Sequence, residues 1–201
     1  FTGFPEMLDG RVKTLTPQVH AGLLHLRDSE EHMNTMKKHG LQPIDLVCVN
    51  LYPFEATIAK AGVPLHEAIE QIDIGGPTMI RSAAKNMKFV TVITDPSDYS
   101  RVLESMDANA GGTTEELRFE LGQKVFARTA AYDATIAGYL AGQMKTAAPR
   151  PFVKTAANGV ELRYGENSHQ KAWLYTDTTA AEACIAHTDV LHGKEMSYNN
   201  Y

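Results

Sequence analysis

Cysteine is scarce in this chain. There are two in 201 residues, Cys48 and Cys184, far apart in sequence. That excludes a disulfide scaffold and points to a reducing compartment. Cys48 lies inside an apolar run, where the ordinary reading is a buried free thiol. No apolar run approaches the roughly 18 residues of a membrane span, and no segment of the given sequence reads as a signal peptide. Basic charge is not in excess: 19 Lys+Arg stand against 24 Asp+Glu, a mildly acidic net charge of −5. This argues against nucleic acid or an anionic membrane as a partner. Histidines such as His20, His25 and His32 have no metal-ligand spacing with Cys or acidic partners, so no metal site is expected. A Gly-x-Gly-x-x-Gly after a strand, a P-loop and a Gly-x-Ser-x-Gly elbow are also missing. The chain opens without Met, on Phe1-Thr2-Gly3-Phe4-Pro5, and ends on Tyr198-Asn199-Asn200-Tyr201. Both ends read as cut, so a fragment is expected.

What is present is the composition of a folded domain: 43% apolar and 21% charged residues. Residues 1–27 are turn-rich, and residues 28–40 read as a surface helix. Residues 44–51 form a near-continuous apolar run, which fits a strand buried on both faces. Tyr52-Pro53-Phe54 ends it, because proline cannot donate to the ladder. Residues 64–72 read as a short helix. Asp73-Ile74-Gly75-Gly76-Pro77 then turns into a second helix with Met79, Ile80, Ala83, Ala84 and Met87 on its apolar face. Residues 89–94 read as another buried strand, followed by a helix to about 107. The helical period runs from Thr114 to Lys145, with Gly122 and Gly138 as bends or close packing points. Residues 147–161 read as a linker between an amino-terminal domain, 1–146, and the start of another, 162–201. A strand at 172–175 and a short Ala-rich helix near 179–186 follow. Strand–helix alternation in the first 110 residues argues for an α/β parallel sheet. Ligands of such sheets bind beyond the carboxyl ends of the strands, which places Asn50, Leu51, Tyr52 and Thr94 near a site.

Several segments carry chemistry, and each has a plainer reading beside it. Arg11 and Lys13 in a Gly-led loop, with Thr14, suit a phosphate; a solvated basic turn is the alternative. The turn Asp73–Thr78 opens a helix whose free N–H groups favour an anion. There Asp73 is either an acceptor for a polar ligand group or a simple cap. Arg81 and Lys85 share a helix face. Lys85 is a surface cation at a helix C-terminus or, if held near Asp73 and desolvated, a proton-transfer group. Tyr52 is a core aromatic or a donor to developing negative charge. Arg163–Gln170 is an exposed loop or a nucleotide-binding run, with Arg for phosphate, Tyr for stacking and His for proton shuttling.

In order along the chain stand Thr2–Met7 with Gly10–Leu15, Asn50-Leu51-Tyr52-Pro53-Phe54, Glu70–Thr78, Arg81–Asn86, Leu162–Asn167 with His169-Gln170, and Gly193-Lys194-Glu195 with Ser197–Asn200. Together they resemble the bifunctional AICAR transformylase / IMP cyclohydrolase family of purine biosynthesis. The resemblance implies a methylglyoxal-synthase-like, Rossmann-like parallel sheet with flanking helices. The first part of a cytidine-deaminase-like domain follows it. The first domain closes FAICAR to IMP with loss of water. The second, when whole, passes a formyl group from 10-formyltetrahydrofolate to AICAR. Carried over by position, Arg11, Val12, Lys13, Thr14, Asn50, Asp73 and Ile74 bind the cyclohydrolase nucleotide. Lys85 transfers the proton, and Lys13, Tyr52 and Asp73 assist. Arg163, Tyr164 and Asn199 bind AICAR. Thr16 and Ser168 depart from the family's usual His and Pro. The cyclohydrolase needs no cofactor; the folate is the transformylase's co-substrate. The resemblance further implies a cytosolic homodimer when full length, with weak cyclohydrolase and little transformylase activity for the 201 residues alone. A non-catalytic nucleotide-sensing module is the alternative, and a truncated product without function of its own is the third reading.

Overall fold

The computed structural model describes residues 1–144, 153, 155–176, 185 and 188–201. The chain divides into two compact units, Phe1–Lys145 and Thr146–Tyr201. The first unit runs α1 (Pro17–Leu24), α2 (Glu30–Lys38), β1 (Leu46–Cys48), α3 (Phe54–Ile58), α4 (Leu65–Glu70), α5 (Gly75–Lys85), β2 (Thr91–Ile93), α6 (Tyr99–Ala108) and α7 (Glu115–Gln143). Strands β1 and β2 pair in parallel, with Leu46 opposite Thr91, Val47 opposite Val92 and Cys48 opposite Ile93. A parallel pair needs a crossover, and here it carries three helices.

The helix ends follow from local chemistry. Ser29 caps α2 by accepting from His32 N–H, with Glu30 and Glu31 in the first turn and Lys37 and Lys38 in the last. Thr114 caps α7 by accepting from Leu117 N–H at 3.2 Å, again with two glutamates following. Helix α7 runs unbroken through both Gly122 and Gly138. Gly122 is the expected close packing point: a Cβ there would sit 3.0 Å from Met87 Sδ.

The apolar face read for α5 is the hub of the core. Ile80, Ala83 and Ala84 are fully buried, with Val19, Leu23, Val47, Val90, Val92 and Val125 around them. Ile93, Val102, Leu117 and Leu121 form a second cluster, and Phe54, Ala68 and Tyr132 a third. At the end of α5 the buried Asn86 amide donates to Leu23 O at 2.7 Å and His25 O at 2.9 Å. It thereby ties α5 to the exit of α1.

The structure differs from the sequence reading in specific places. The turn-rich opening holds α1, whose Val19 and Leu23, four apart, point into the core. The strand expected over 44–51 is ordered as a ladder only at 46–48, and it is not buried on both faces. Val47 points inward, whereas Leu46 and Cys48 are exposed. The ladder residues pack on α5 and pair with β2, while Ile44 meets Gly22 of α1 and Leu51 packs with Phe54, Ala68 and Tyr132. Cys48 is correspondingly no buried thiol; its Sγ donates to Tyr99 Oη at 3.5 Å. The other strand, β2, is buried throughout, as expected.

In the second unit β3 (Ala157–Glu161) and β4 (Trp173–Thr176) pair antiparallel, with Val160 opposite Leu174 and Glu161 opposite Trp173. Residues 157–161, read as the tail of a linker, are therefore strand. Their one large apolar residue, Val160, is exposed and gives no pattern that would betray the strand. The helix expected near 179–186 lies, apart from Ile185, outside the described residues. Among the described residues no helix is long and apolar enough to cross a membrane.

Candidate active site

Helix α4 ends at Glu70, and the turn Gln71-Ile72-Asp73 leads into α5. The first amides of a helix have no partner inside it. Asp73 supplies one: its Oδ1 accepts from Gly76 N–H at 2.8 Å. Its Oδ2 accepts from Tyr52 N–H at 3.2 Å, which fastens the chain leaving β1 to the same point. The N–H of Asp73 donates to Tyr132 Oη at 2.8 Å. Asp73 thus does what the plainer sequence reading held for it: it caps a helix. It also anchors the Tyr52 segment, which that reading did not foresee. The glycine pair is needed here. A Cβ on Gly76 would stand 2.5 Å from Asp73 Oδ2, and one on Gly75 would stand 2.8 Å from Thr14 Oγ1. Ile74, at the helix entrance, is largely exposed.

Thr14 belongs to the basic loop. That loop is shaped by three consecutive residues with positive φ, Leu8, Asp9 and Gly10, and by a two-way backbone pairing of Met7 with Val12. Its cations are exposed and paired. Arg11 bonds Glu70 at the end of α4, and Lys13 Nζ lies 2.9 Å from Glu6. The hydrogen bond and charge of Glu6 hold the Lys13 pKa above its ordinary 10.5, with a smaller contribution from nearby Tyr52. Tyr52 is 55% exposed, so it is not a core aromatic.

Beyond the carboxyl ends of β1 and β2 lies a cavity of about 340 Å³, lined by Asn50, Leu51, Thr94, Asp95, Pro96, Lys124 and Arg128. Of the four residues the strand-end rule pointed to, Asn50, Leu51 and Thr94 line this cavity and Tyr52 does not. It missed Lys124 and Arg128, which α7 brings in from far along the chain and which no local motif marks. Burial pushes the Lys124 pKa down, but Asp98 at 2.7 Å and then Asp95 at 3.3 Å outweigh it and hold the ammonium above its usual range. Arg128 grips Glu55 with two parallel bonds of 3.1 and 3.3 Å.

The structure therefore gathers Thr14, Asp73 and Ile74 at the entrance of α5. Lys13 is paired with Glu6 and lies within electrostatic range of Tyr52, and Arg11 is held by the end of the preceding helix. Val12 contributes its backbone to the loop pairing. Asn50, two residues before Tyr52, faces the cavity. Lys85 is not part of this gathering. It is exposed at the last position of α5, an axial rise of about 15 Å from Gly75.

The second unit joins its three expected residues in one place. Arg163 N–H donates to Met196 O, Tyr198 N–H to Tyr164 O, and Asn199 Nδ2 to Glu166 O at 3.2 Å. The Arg163 guanidinium lies 4.9 Å from the Tyr164 ring centre. Hydrogen bonding from Ser197, and then from Arg163 together with its charge, lowers the Tyr164 pKa below its ordinary 10.0. Among the described residues no group of three His, Cys, Asp or Glu side chains is placed to hold a metal ion.

Comparison with known proteins adds to this geometry. The family model described as the AICARFT/IMPCHase bienzyme matches residues 83–201, and that of the MGS-like domain matches residues 1–78. A bifunctional purine biosynthesis protein PurH from Magnetococcus marinus is 55% identical over 100% of this chain and 38% of its own length. One from Bacillus mycoides is 57% identical over 99% of this chain and 39% of its own length. The chain thus spans about two fifths of the curated relatives it matches. A solved structure titled as that of ForH is 38% identical, with a TM-score of 0.62, covering 70% of this chain and 71% of that one.

Proposed function

The chain belongs to the AICARFT/IMPCHase bienzyme family, and on that premise we propose that its first unit carries the ring closure of FAICAR to IMP. The second unit then supplies Arg163, Tyr164 and Asn199 to the AICAR site of a formyltransferase whose co-substrate is 10-formyltetrahydrofolate. The observation that carries the reading is the convergence on the α5 entrance: Asp73 fixed by two amides, one of them that of Tyr52, and Thr14 against Gly75.

The chemistry suits those groups. The carboxamide nitrogen attacks the formyl carbon, and negative charge grows on the formyl oxygen. That oxygen takes a proton and, with a second, leaves as water, while the carboxamide nitrogen gives up one proton and the formamide nitrogen the other. Lys13 and Tyr52 are donors for the oxygen. Asp73 is an acceptor that orients the amide N–H, and the positive end of α5 favours the nucleotide's anionic groups. Arg11 and Thr14 supply further phosphate contacts, and Asn50 a polar contact from the β1 exit. Lys85 enters as proton-transfer residue on the resemblance alone. A cytosolic setting and a homodimer formed through the second domain belong to the same proposal and rest on the same resemblance.

The test uses the protein encoded between the gene's own start and stop codons. FAICAR is added and IMP is followed by absorbance, with Lys13→Ala and Lys85→Ala beside the parent. Loss of one donor to a developing oxyanion lowers kcat by about 10²-fold or more, and that is expected of Lys13→Ala. Lys85→Ala shows whether proton transfer depends on that ammonium. A folded protein that binds nucleotide but forms no IMP would replace this reading by that of a sensing module.

A further inference from the structure

Tyr132 lies on α7, 59 residues from Asp73 and in no motif of the site. It is 1% exposed, yet its hydroxyl reaches the turn that opens α5. The hydroxyl accepts from Asp73 N–H at 2.8 Å and donates to Gln71 O at 3.1 Å. One oxygen with one proton satisfies both backbone groups, in the only sense of donation that serves the two at once. The ring meets Phe54 edge-on, with centroids 6.2 Å apart and planes at 72°, and Phe54 in turn meets Tyr139 at 5.7 Å and 87°. Ala68 of α4 is buried in the same cluster.

These contacts touch both arms of the site. Phe54 is two residues beyond Tyr52, and Gln71 and Asp73 form the turn into α5. The Tyr52 and Asp73 arms are themselves joined by the Tyr52 N–H to Asp73 carboxylate bond. We propose that Tyr132 is a positioning residue that sets Asp73, and through it the Tyr52 segment, in reacting position. The inference rests on the reading of the α5 entrance as the ring-closing site. Burial holds the Tyr132 pKa above its ordinary 10.0, against the hydrogen bond from Asp73 N–H. The proton given to Gln71 therefore stays in place across the neutral range.

The geometry makes the hydroxyl and the ring separable. Tyr132→Phe keeps the edge-on packing against Phe54 and removes only the link to the turn. Two backbone groups are then left without their partner, and the turn relaxes. Catalytic geometry is sensitive to shifts of this size, since a misplacement of about 1 Å costs about 10²-fold.

The experiment is a cycle of four full-length proteins: parent, Tyr132→Phe, Asp73→Asn and the double variant. The kcat and KM for FAICAR are measured for each. In the parent background Tyr132→Phe is expected to lower kcat about ten-fold with KM changed less than about two-fold. In the Asp73→Asn background the further loss is expected to be less than about two-fold, because the two residues act as one unit. An equal loss in both backgrounds, or no loss in the single variant, overturns the proposal. Hydrogen–deuterium exchange of the peptide spanning 71–78 is followed by mass spectrometry on the same proteins. Faster exchange there in Tyr132→Phe, with the peptides around Val92 and Val125 unchanged, is expected; an unchanged 71–78 peptide overturns the positioning role. This second readout stands even if the parent forms no IMP, in which case the ring-closing reading fails and exchange alone decides the role of Tyr132.

Discussion

Replacing Gly76 by Ala tests the Asp73 geometry most directly, because the ordinary expectation has the opposite sign. Alanine is the better helix former, by about 0.5–1 kcal/mol, and it also narrows the unfolded ensemble. A glycine at the second position of α5 with no special duty would therefore be improved. Here the added Cβ would stand 2.5 Å from Asp73 Oδ2 and 3.0 Å from its Cγ. The carboxylate must swing away, and it gives up both the 2.8 Å bond from Gly76 N–H and the 3.2 Å bond from Tyr52 N–H. Loss of a helix cap costs about 0.5–2 kcal/mol. The Tyr52 bond is exposed, so water replaces most of it. Setting a loss of about 2 kcal/mol against a gain of about 0.5–1 kcal/mol leaves a net destabilisation of about 1 kcal/mol. Urea denaturation reads this as a lower midpoint with an unchanged slope. IMP formation is expected to fall by about 10²-fold, since Asp73 and the Tyr52 segment both lose their fixed point. A Gly76→Ala protein that is more stable than its parent and equally active would refute the reasoning at its root, for the carboxylate would then not lie over Gly76.

Two further substitutions probe the frame around the site. Asn86→Ala leaves the carbonyls of Leu23 and His25 buried without their donor and is expected to cost about 3 kcal/mol in urea denaturation; a loss below about 1 kcal/mol would show that α1 and α5 are not joined there. Burial lowers the His20 pKa from its ordinary 6.5, so the unfolded chain takes up the proton first as pH falls. Stability is then full above about pH 6.5 and declines below it, so the parent should lose more Tm between about pH 7.5 and 5.5 than His20→Gln does; equal losses would show that His20 is not held neutral.

The parts of the fold legible in the sequence are those with a local cause. The capping serines and threonines, the acidic first turns of α2 and α7, and the three-and-four spacing of α5 act within a few residues of themselves. So does Gly76, whose need is set by Asp73 three positions away, whereas that of Gly75 is set by the distant Thr14. What failed was whatever depends on a distant neighbour. The run at 44–51 is near-continuously apolar, but burial of Leu46 or Cys48 depends on what lies across the sheet, not on the run. Helix α1 was hidden because its two large buried side chains, Val19 and Leu23, are too few to show a period among turn-forming neighbours. Tyr132 is the extreme case. Its position in the α7 stripe reads only as one more core aromatic, and the bond to Asp73 exists because α7 passes the α5 entrance.

The same distinction bears on the basic loop. The sequence shows Arg11 and Lys13 as free cations for a phosphate, with a solvated turn as the rival account. The structure shows each with a carboxylate partner, Glu70 and Glu6. This does not favour the rival account, because all four side chains are more than half exposed. Exposed pairs are weak, and water already supplies most of what each partner offers. A phosphoryl group, with more charge than a carboxylate and helped by the positive end of α5, replaces such a partner readily. Lys124 and Arg128 stand differently. Their partners Asp98 and Glu55 are more shielded, Asp98 being buried, and Arg128 is held by two parallel bonds. Breaking those pairs would leave a buried carboxylate or a half-buried guanidinium unanswered, which is costly. Charge count alone would rank the two pairs of cations equally. Exposure is therefore why the proposed site takes its binding pair from the loop and leaves the α7 cations as framework that shapes the cavity.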